Sequence, residues 1–96
     1  MKVELAAQVV DFVRRLPPEP RRRLRRALRE LANEKGDIKP LHAPLEAYCL
    51  LRIGGYRAIF SYASRGRIQC IFAEQRSIVY ELLVEMLRDR LGKRDR

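Results

Sequence analysis

The pair Gly54–Gly55, set between two runs rich in aliphatic and aromatic residues, is the feature that most limits what this chain can fold into. Tyr48 to Ile53 precedes it and Tyr56 to Tyr62 follows. A two-residue glycine connection supplies the positive φ that tight hairpins need, so the two runs are expected to pair as antiparallel strands. In that register, strand alternation can place Leu50, Arg52, Arg57 and Ile59 on one sheet face. A second turn at Ser64, Arg65 and Gly66 then returns the chain as a third strand, Arg67 to Ala73.

The rest of the chain reads as helices around this sheet, after a short first strand over Lys2 to Ala6. From Ala7 the apolar period changes to helical, with Val9, Val10, Phe12 and Val13 recurring up to Leu16, where Pro17 stops the run. A second helix can start at Pro18, because the first N–H groups of a helix have no partner for proline to remove. It is expected to reach about Asn33. Leu24, Ala27, Leu28, Leu31 and Ala32 form its apolar stripe, and Arg21, Arg22, Arg25, Arg26 and Arg29 its outer flank. Glu34 to Leu45 holds Gly36, Pro40 and Pro44 without periodicity and reads as a connecting loop. Ser77 is expected to cap a last helix that carries Val79, Leu82, Leu83 and Met86 inward and ends at Gly92, leaving residues 92–96 as a frayed tail. The expectation is a single domain over residues 1–96 of α+β class: a small antiparallel sheet in β-α-α-β-β-β-α order, with an N-terminal helical hairpin and a C-terminal helix packed on it.

Charge narrows the function. The 96 residues carry 21 Lys and Arg against 12 Asp and Glu, and 17 of the cations are Arg. Guanidinium grips phosphate at two points where ammonium acts as a point charge, which suits a nucleic-acid partner. A GC-rich genome would produce the same arginine bias. No apolar stretch approaches the roughly 18 residues of a membrane span, and Glu4 and Asp11 interrupt the segment that could imitate a signal peptide. The expected location is the cytoplasm. Cys49 and Cys70 should lie on strands flanking a common neighbour, about 9 to 10 Å apart. That is too far for a disulfide, so two buried free thiols are expected. No cysteine and histidine cluster suggests a metal, and no cofactor is implied.

Three segments together give this chain a resemblance to the RelE/ParE toxin superfamily of bacterial toxin-antitoxin systems: Phe12-Val-Arg-Arg-Leu-Pro17, Leu51-Arg-Ile-Gly-Gly-Tyr-Arg-Ala-Ile-Phe60 and Gln75-Arg-Ser-Ile-Val-Tyr80. The middle segment is similar to the family's Leu-Arg-x-Gly-x-Tyr-Arg pattern, the last to its Arg-x-x-Val-Tyr pattern. RelE-like members are ribosome-dependent endoribonucleases that cleave translated mRNA. Cleavage through the ribose 2′-hydroxyl needs a group to take its proton, positive charge on the phosphorane and a donor for the leaving 5′-oxygen. The resemblance implies that Arg57, Arg76 and Tyr80 supply these functions, with Arg52 as a further cation and Glu74 as a possible base. It departs from the family at Leu50, where a second basic residue often stands, and at Gln75, where relatives often show His or Lys.

Each of these residues also has a plainer reading. Arg57 could form an ion pair with Glu46 or Glu74, Arg76 could be solvated ahead of its helix, and Tyr80 could pack its ring on the sheet with its hydroxyl in water. His42 lies in the proline-rich loop, apart from every motif. The flank Arg21, Arg22, Arg25, Arg26 and Arg29, dense enough to include the run Arg21 to Arg23, is the candidate for sequence-blind RNA contact. The last helix adds Ile78, Tyr80, Val84, Leu87 and Leu91 to its inward residues, a broader apolar surface than a thin sheet can cover. The resemblance implies that a cognate antitoxin docks on this helix and the basic groove, with the ribosome and mRNA as the other partners. The alternatives are a ParE-like toxin that inhibits DNA gyrase and a catalytically degenerate member that only binds RNA or a partner.

Overall fold

The computed structural model describes residues 1–94, apart from the side chains of residues 93 and 94. Its elements run β1 (Lys2–Leu5), α1 (Ala7–Arg15), α2 (Pro18–Leu31), β2 (Asp37–Pro40), β3 (Cys49–Ile53), β4 (Tyr56–Tyr62), β5 (Arg67–Gln75) and α3 (Arg76–Arg94). The strands form one five-stranded sheet in the order β1-β5-β4-β3-β2. Two expectations are corrected at this level. The sheet is mixed, because β1 runs parallel to β5. The stretch read as a loop contains the edge strand β2, antiparallel to β3. Four residues with a single apolar side chain and a terminal proline give almost no strand signal, and proline is tolerated there because an edge strand leaves one row of backbone groups unpaired.

The glycine hairpin forms in the expected register. Leu50 pairs with Ile59 and Arg52 with Arg57, while Gly54 carries a φ of 56° in the turn. On one sheet face, Val9, Phe12 and Val13 of α1 and Leu24, Leu28 and Leu31 of α2 close on Leu51, Ala58, Phe60, Ile68, Cys70 and Ala73. On the other, Val79 of α3 closes on Leu50 and Ile59, with Leu82, Leu83, Phe72 and Tyr48 partly buried around them. Both faces of β4 are therefore covered, which explains its unbroken burial from Arg57 to Phe60.

Pro17 and Pro18 divide the helical hairpin: the Pro17 ring sterically drives Leu16 extended, and α2 opens on Pro18, whose missing N–H costs nothing at that position. Beyond the short β1, the exposed side of β5 is completed by a side chain. The Gln8 amide accepts the Ala73 N–H at 2.9 Å and donates to the Ala73 carbonyl at 2.7 Å, standing in for a strand.

Pairing of β4 with β5 shifts between Ile59 and Phe60, which oppose Phe72 and Cys70. The intervening Ile71 is the extra residue of a β-bulge, and it reverses which sheet face each later residue of β5 occupies. Cys70 belongs to the core under α1 and α2, and Phe72 to the core under α3.

The end of the chain also differs from expectation. Helix α3 starts at Arg76, so Ser77 lies in its first turn and not ahead of it, and the helix continues through Gly92 to Arg94. A glycine inside a helix costs only about 1 kcal/mol, too little to force a stop. Of the expected frayed tail, 92–94 are helical and residues 95 and 96 lie outside the described residues. The two thiols are free, but only Cys70 is buried, and burial pushes it up to about 12. No helix among the described residues is long and apolar enough to cross a membrane.

Candidate functional site

The hairpin and the start of α3 converge at one end of the sheet. The Arg76 N–H donates to the Gly55 carbonyl at 3.0 Å, so the turn between β3 and β4 fixes where α3 begins. This bond takes the place of the side-chain cap expected from Ser77. It also sets Arg76 and Tyr80, four residues apart on one helix face, over the sheet positions that carry Arg52 and Arg57.

Arg57 is the most constrained of these groups. It is 8% exposed, and its Nη1 donates to the Gly54 carbonyl at 2.7 Å and the Tyr56 carbonyl at 2.8 Å. Its Nε is buried with no partner. The expected alternative, an ion pair with Glu46 or Glu74, does not form among the described residues. The bulge at Ile71 brings Glu74 directly opposite Arg57, yet the Glu74 carboxylate accepts the N–H of Gln75 at 2.9 Å. A guanidinium is thus held out of water by carbonyl oxygens alone, with donor capacity left over. Leaving a buried donor unmatched costs about 1 to 3 kcal/mol.

Arg52 stands across the hairpin from Arg57, a pairing of like charges that the missed strand offsets. Asp37 of β2 accepts from Arg52 Nη2 at 2.9 Å, and this hydrogen bond raises the Arg52 pKa further above its ordinary value. The Arg76 guanidinium carbon lies 5.3 Å from the centre of the Tyr80 ring. The phenol of Tyr80 is held below its ordinary value, first by Arg57 and then by Arg76, despite an opposing push from desolvation. Arg52, Arg57, Arg76 and Tyr80 therefore form one cluster, with Glu74 on the same face. The arrangement offers fixed positive charge around an acidified hydroxyl, which can stabilise an anionic transition state and move a proton.

The arginine flank of α2 falls elsewhere. Helix α2 covers the opposite sheet face, so Arg21, Arg22, Arg25, Arg26 and Arg29 do not join the cluster. Arg22 and Arg26 pair along the helix with Glu19 at 3.8 Å and Glu30 at 3.3 Å, while Arg25 and Arg29 rim a groove floored by Val3, Leu5, Val10 and Leu28. The exception is Arg23. A Cβ on Gly54 would stand 3.2 Å from Arg23 Nη1, so this side chain reaches the hairpin and lines a cleft of about 530 Å³ with Gly55, Tyr56, Gln75, Arg76 and Ser77. Sequence reasoning left Arg23 out of the site. The available signal was the bare backbone of the glycine pair, which admits a long side chain from a neighbouring element.

No family model matches the chain, and no curated protein sequence matches it. Solved structures do share its fold. A chain of the toxin-antitoxin complex RelBE2 from Mycobacterium tuberculosis superposes with a TM-score of 0.66 at 17% identity, covering 78% of this chain and 90% of that one. A chain of the RelB-RelE antitoxin-toxin complex from Methanococcus jannaschii gives a TM-score of 0.63 at 22% identity, covering 81% of this chain and 95% of that one.

Proposed function

We propose that this chain is the toxin of a toxin-antitoxin pair, a metal-independent endoribonuclease of RelE type that cleaves translated mRNA on the ribosome and is neutralised by a cognate antitoxin. The observation that carries the reading is Arg57: a buried guanidinium with an unmatched Nε, not paired with the Glu74 carboxylate opposite it, beside a tyrosine whose phenol is acidified. Likeness of fold to chains of RelB–RelE complexes supports the toxin-antitoxin class.

In this reading the scissile phosphate meets Arg57 and Arg52, whose charge stabilises the phosphorane formed when the 2′-oxygen attacks. Tyr80 exchanges the proton: its phenolate takes the one leaving the 2′-hydroxyl, and the resulting phenol can return it to the 5′-oxygen as that bond breaks. The product is a 2′,3′-cyclic phosphate and a free 5′-hydroxyl. Arg76, stacked on the Tyr80 ring, holds the phenolate form available. Glu74 is the reserve base, half-buried opposite Arg57.

The antitoxin has a surface to occupy. Tyr80, Val84, Leu87 and Leu91 recur at intervals of four, three and four along α3, and all are exposed, on a side of the helix turned away from Val79. An amphipathic helix laid on this stripe would cover Tyr80 and so block the cluster.

The decisive experiment adds the purified chain to a translating extract and maps message ends. Cleavage within translated codons that Arg57→Ala and Arg76→Ala abolish is the expected result; undiminished cleavage in the double variant removes the site. One observation favours a second reading. Leu50, where the family often carries a basic residue, is 3% exposed against Ile59 and Val79, so the cationic set is thinner here. Inhibition of purified DNA gyrase with intact messages would establish the ParE-like alternative.

A further inference from the structure

The cleft over the glycine hairpin has a composition that the catalytic cluster does not explain. Its walls come from both sides of the sheet: Arg23 from α2, and Arg76 with Ser77 from α3. Gly55, Tyr56 and Gln75 complete the lining. Two arginines thus line one concavity, and neither forms an ion pair among the described residues. The neighbouring Arg22, by contrast, is paired with Glu19. Bringing two unpaired cations together is unfavourable unless an anion joins them. Arginine's fork suits phosphate oxygens, while the Gln75 amide and Ser77 hydroxyl offer donors and acceptors to a sugar or base edge.

The local geometry shows how Arg23 is admitted. Gly54 adopts a φ of 56°, and any side chain there would press on Arg23 Nη1 from 3.2 Å. Arg23 is also the one arginine of α2 that lines the hairpin end of the sheet, where the two faces meet. Arg76 belongs to both places, with its guanidinium over the Tyr80 ring and its residue on the cleft wall.

We infer that Arg23 and Arg76 form a second phosphate subsite, which grips the phosphodiester of single-stranded RNA next to the one held at Arg57. The subsite rests on the reading of this chain as an RNA-binding protein, though not on cleavage. It makes Arg23 a positioning residue: it fixes the strand so that the neighbouring phosphate reaches Arg57.

The test measures binding of a short 2′-O-methyl RNA, which lacks the attacking hydroxyl, by fluorescence anisotropy across a salt series. The expected result is that Arg23→Ala weakens binding roughly tenfold and lowers the slope of log affinity against log salt by about 0.7, the value for one lost contact to a single strand. Arg23→Lys should restore the slope and recover only part of the affinity. Arg65→Ala, in the turn at the opposite end of β4, supplies the same loss of net charge far from the cleft and should change neither quantity. Because Arg23 is exposed on a helix, alanine there leaves the fold intact, which the melting temperature checks. Wild-type affinity in Arg23→Ala, an equal loss in Arg65→Ala, or no salt-dependent binding by the unmodified chain would each overturn the subsite. An absence of message cleavage with the Arg23 binding pattern retained would overturn the nuclease reading and leave the subsite standing.

Discussion

The two faces of the sheet are built to different standards. Under α1 and α2 the side chains are large, apolar and closed, with Phe60, Leu24, Leu31 and Ile68 almost wholly buried. Under α3 the buried set among the described residues is Leu50, Ile59 and Val79, and the same face also buries the Arg57 guanidinium. The first arrangement maximises apolar burial. The second gives up packing to hold a cation in a place where water cannot screen it. A chain of this length has little core to spare, so concentrating stability on one face is what allows the other to carry an under-satisfied polar site.

The largest effect expected from breaking this contrast is in the core. Phe60→Ala should destabilise the chain by about 3 to 5 kcal/mol, whereas Val79→Ala on the other face should cost about 2 kcal/mol, as measured by urea unfolding. Comparable losses would mean that both faces carry the fold equally.

Arg57→Leu sharpens the contrast from the opposite direction. Exchanging an under-satisfied buried charge for an apolar group is expected to leave stability unchanged or raise it by about 1 to 2 kcal/mol, while cleavage and toxicity disappear. A strong loss of stability would show that the two carbonyl contacts of Arg57 are structural and not a means of holding it ready.

A third prediction concerns pH. With the Tyr80 phenol lowered by Arg57 and Arg76, a reaction that needs the phenolate should accelerate with rising pH below the ordinary phenol value of 10.0. Tyr80→Phe should flatten that limb, and removing the charge of Arg76 should move it to higher pH. The sign for stability is separate. A depressed acid pKa stabilises the fold above the unfolded value and loses that contribution as pH falls through the folded one, so the contribution of Tyr80 is full only above 10.0 and declines as pH drops below it. A pH profile identical in Tyr80→Phe would remove tyrosine from proton transfer.

The smallest effect belongs to the exposed pair between β2 and β3. Asp37→Asn should change stability by less than about 1 kcal/mol, since both partners are solvated. Its larger consequence should be on catalysis, because Arg52 would lose the group that orients it and offsets its repulsion from Arg57. Unaltered cleavage rates would place Arg52 outside the reaction.

Legibility followed the range of the interaction responsible for each feature. The glycine hairpin, the proline break between α1 and α2 and the shared face of Arg52 and Arg57 rest on contacts between near neighbours, where turn chemistry and alternation operate. Strand β2 was unreadable because its pairing depends on β3 passing beside it, and its own residues carry no strand preference. The parallel contact of β1 with β5 joins segments far apart in the sequence, Lys2 pairing with Arg67, and nothing in Lys2 to Leu5 encodes which edge it will find. Residues Ser77 and Gly92 misled for the converse reason: each is a valid local signal that tertiary contacts and helix continuity override.

The chain alone determined the hairpin register and the helical hairpin, and with them the placement of Arg52 beside Arg57. Steric limits on glycine and proline and the two-residue period of a strand act wherever those residues occur. The tertiary structure decided the state of those groups. The bulge at Ile71 turned Glu74 toward Arg57 without pairing them, β2 supplied Asp37 to Arg52, and α3 anchored on Gly55 brought Arg76 and Tyr80 to Arg57. Charge, burial and pKa are properties of a group's surroundings, and those surroundings exist only once distant segments have packed together.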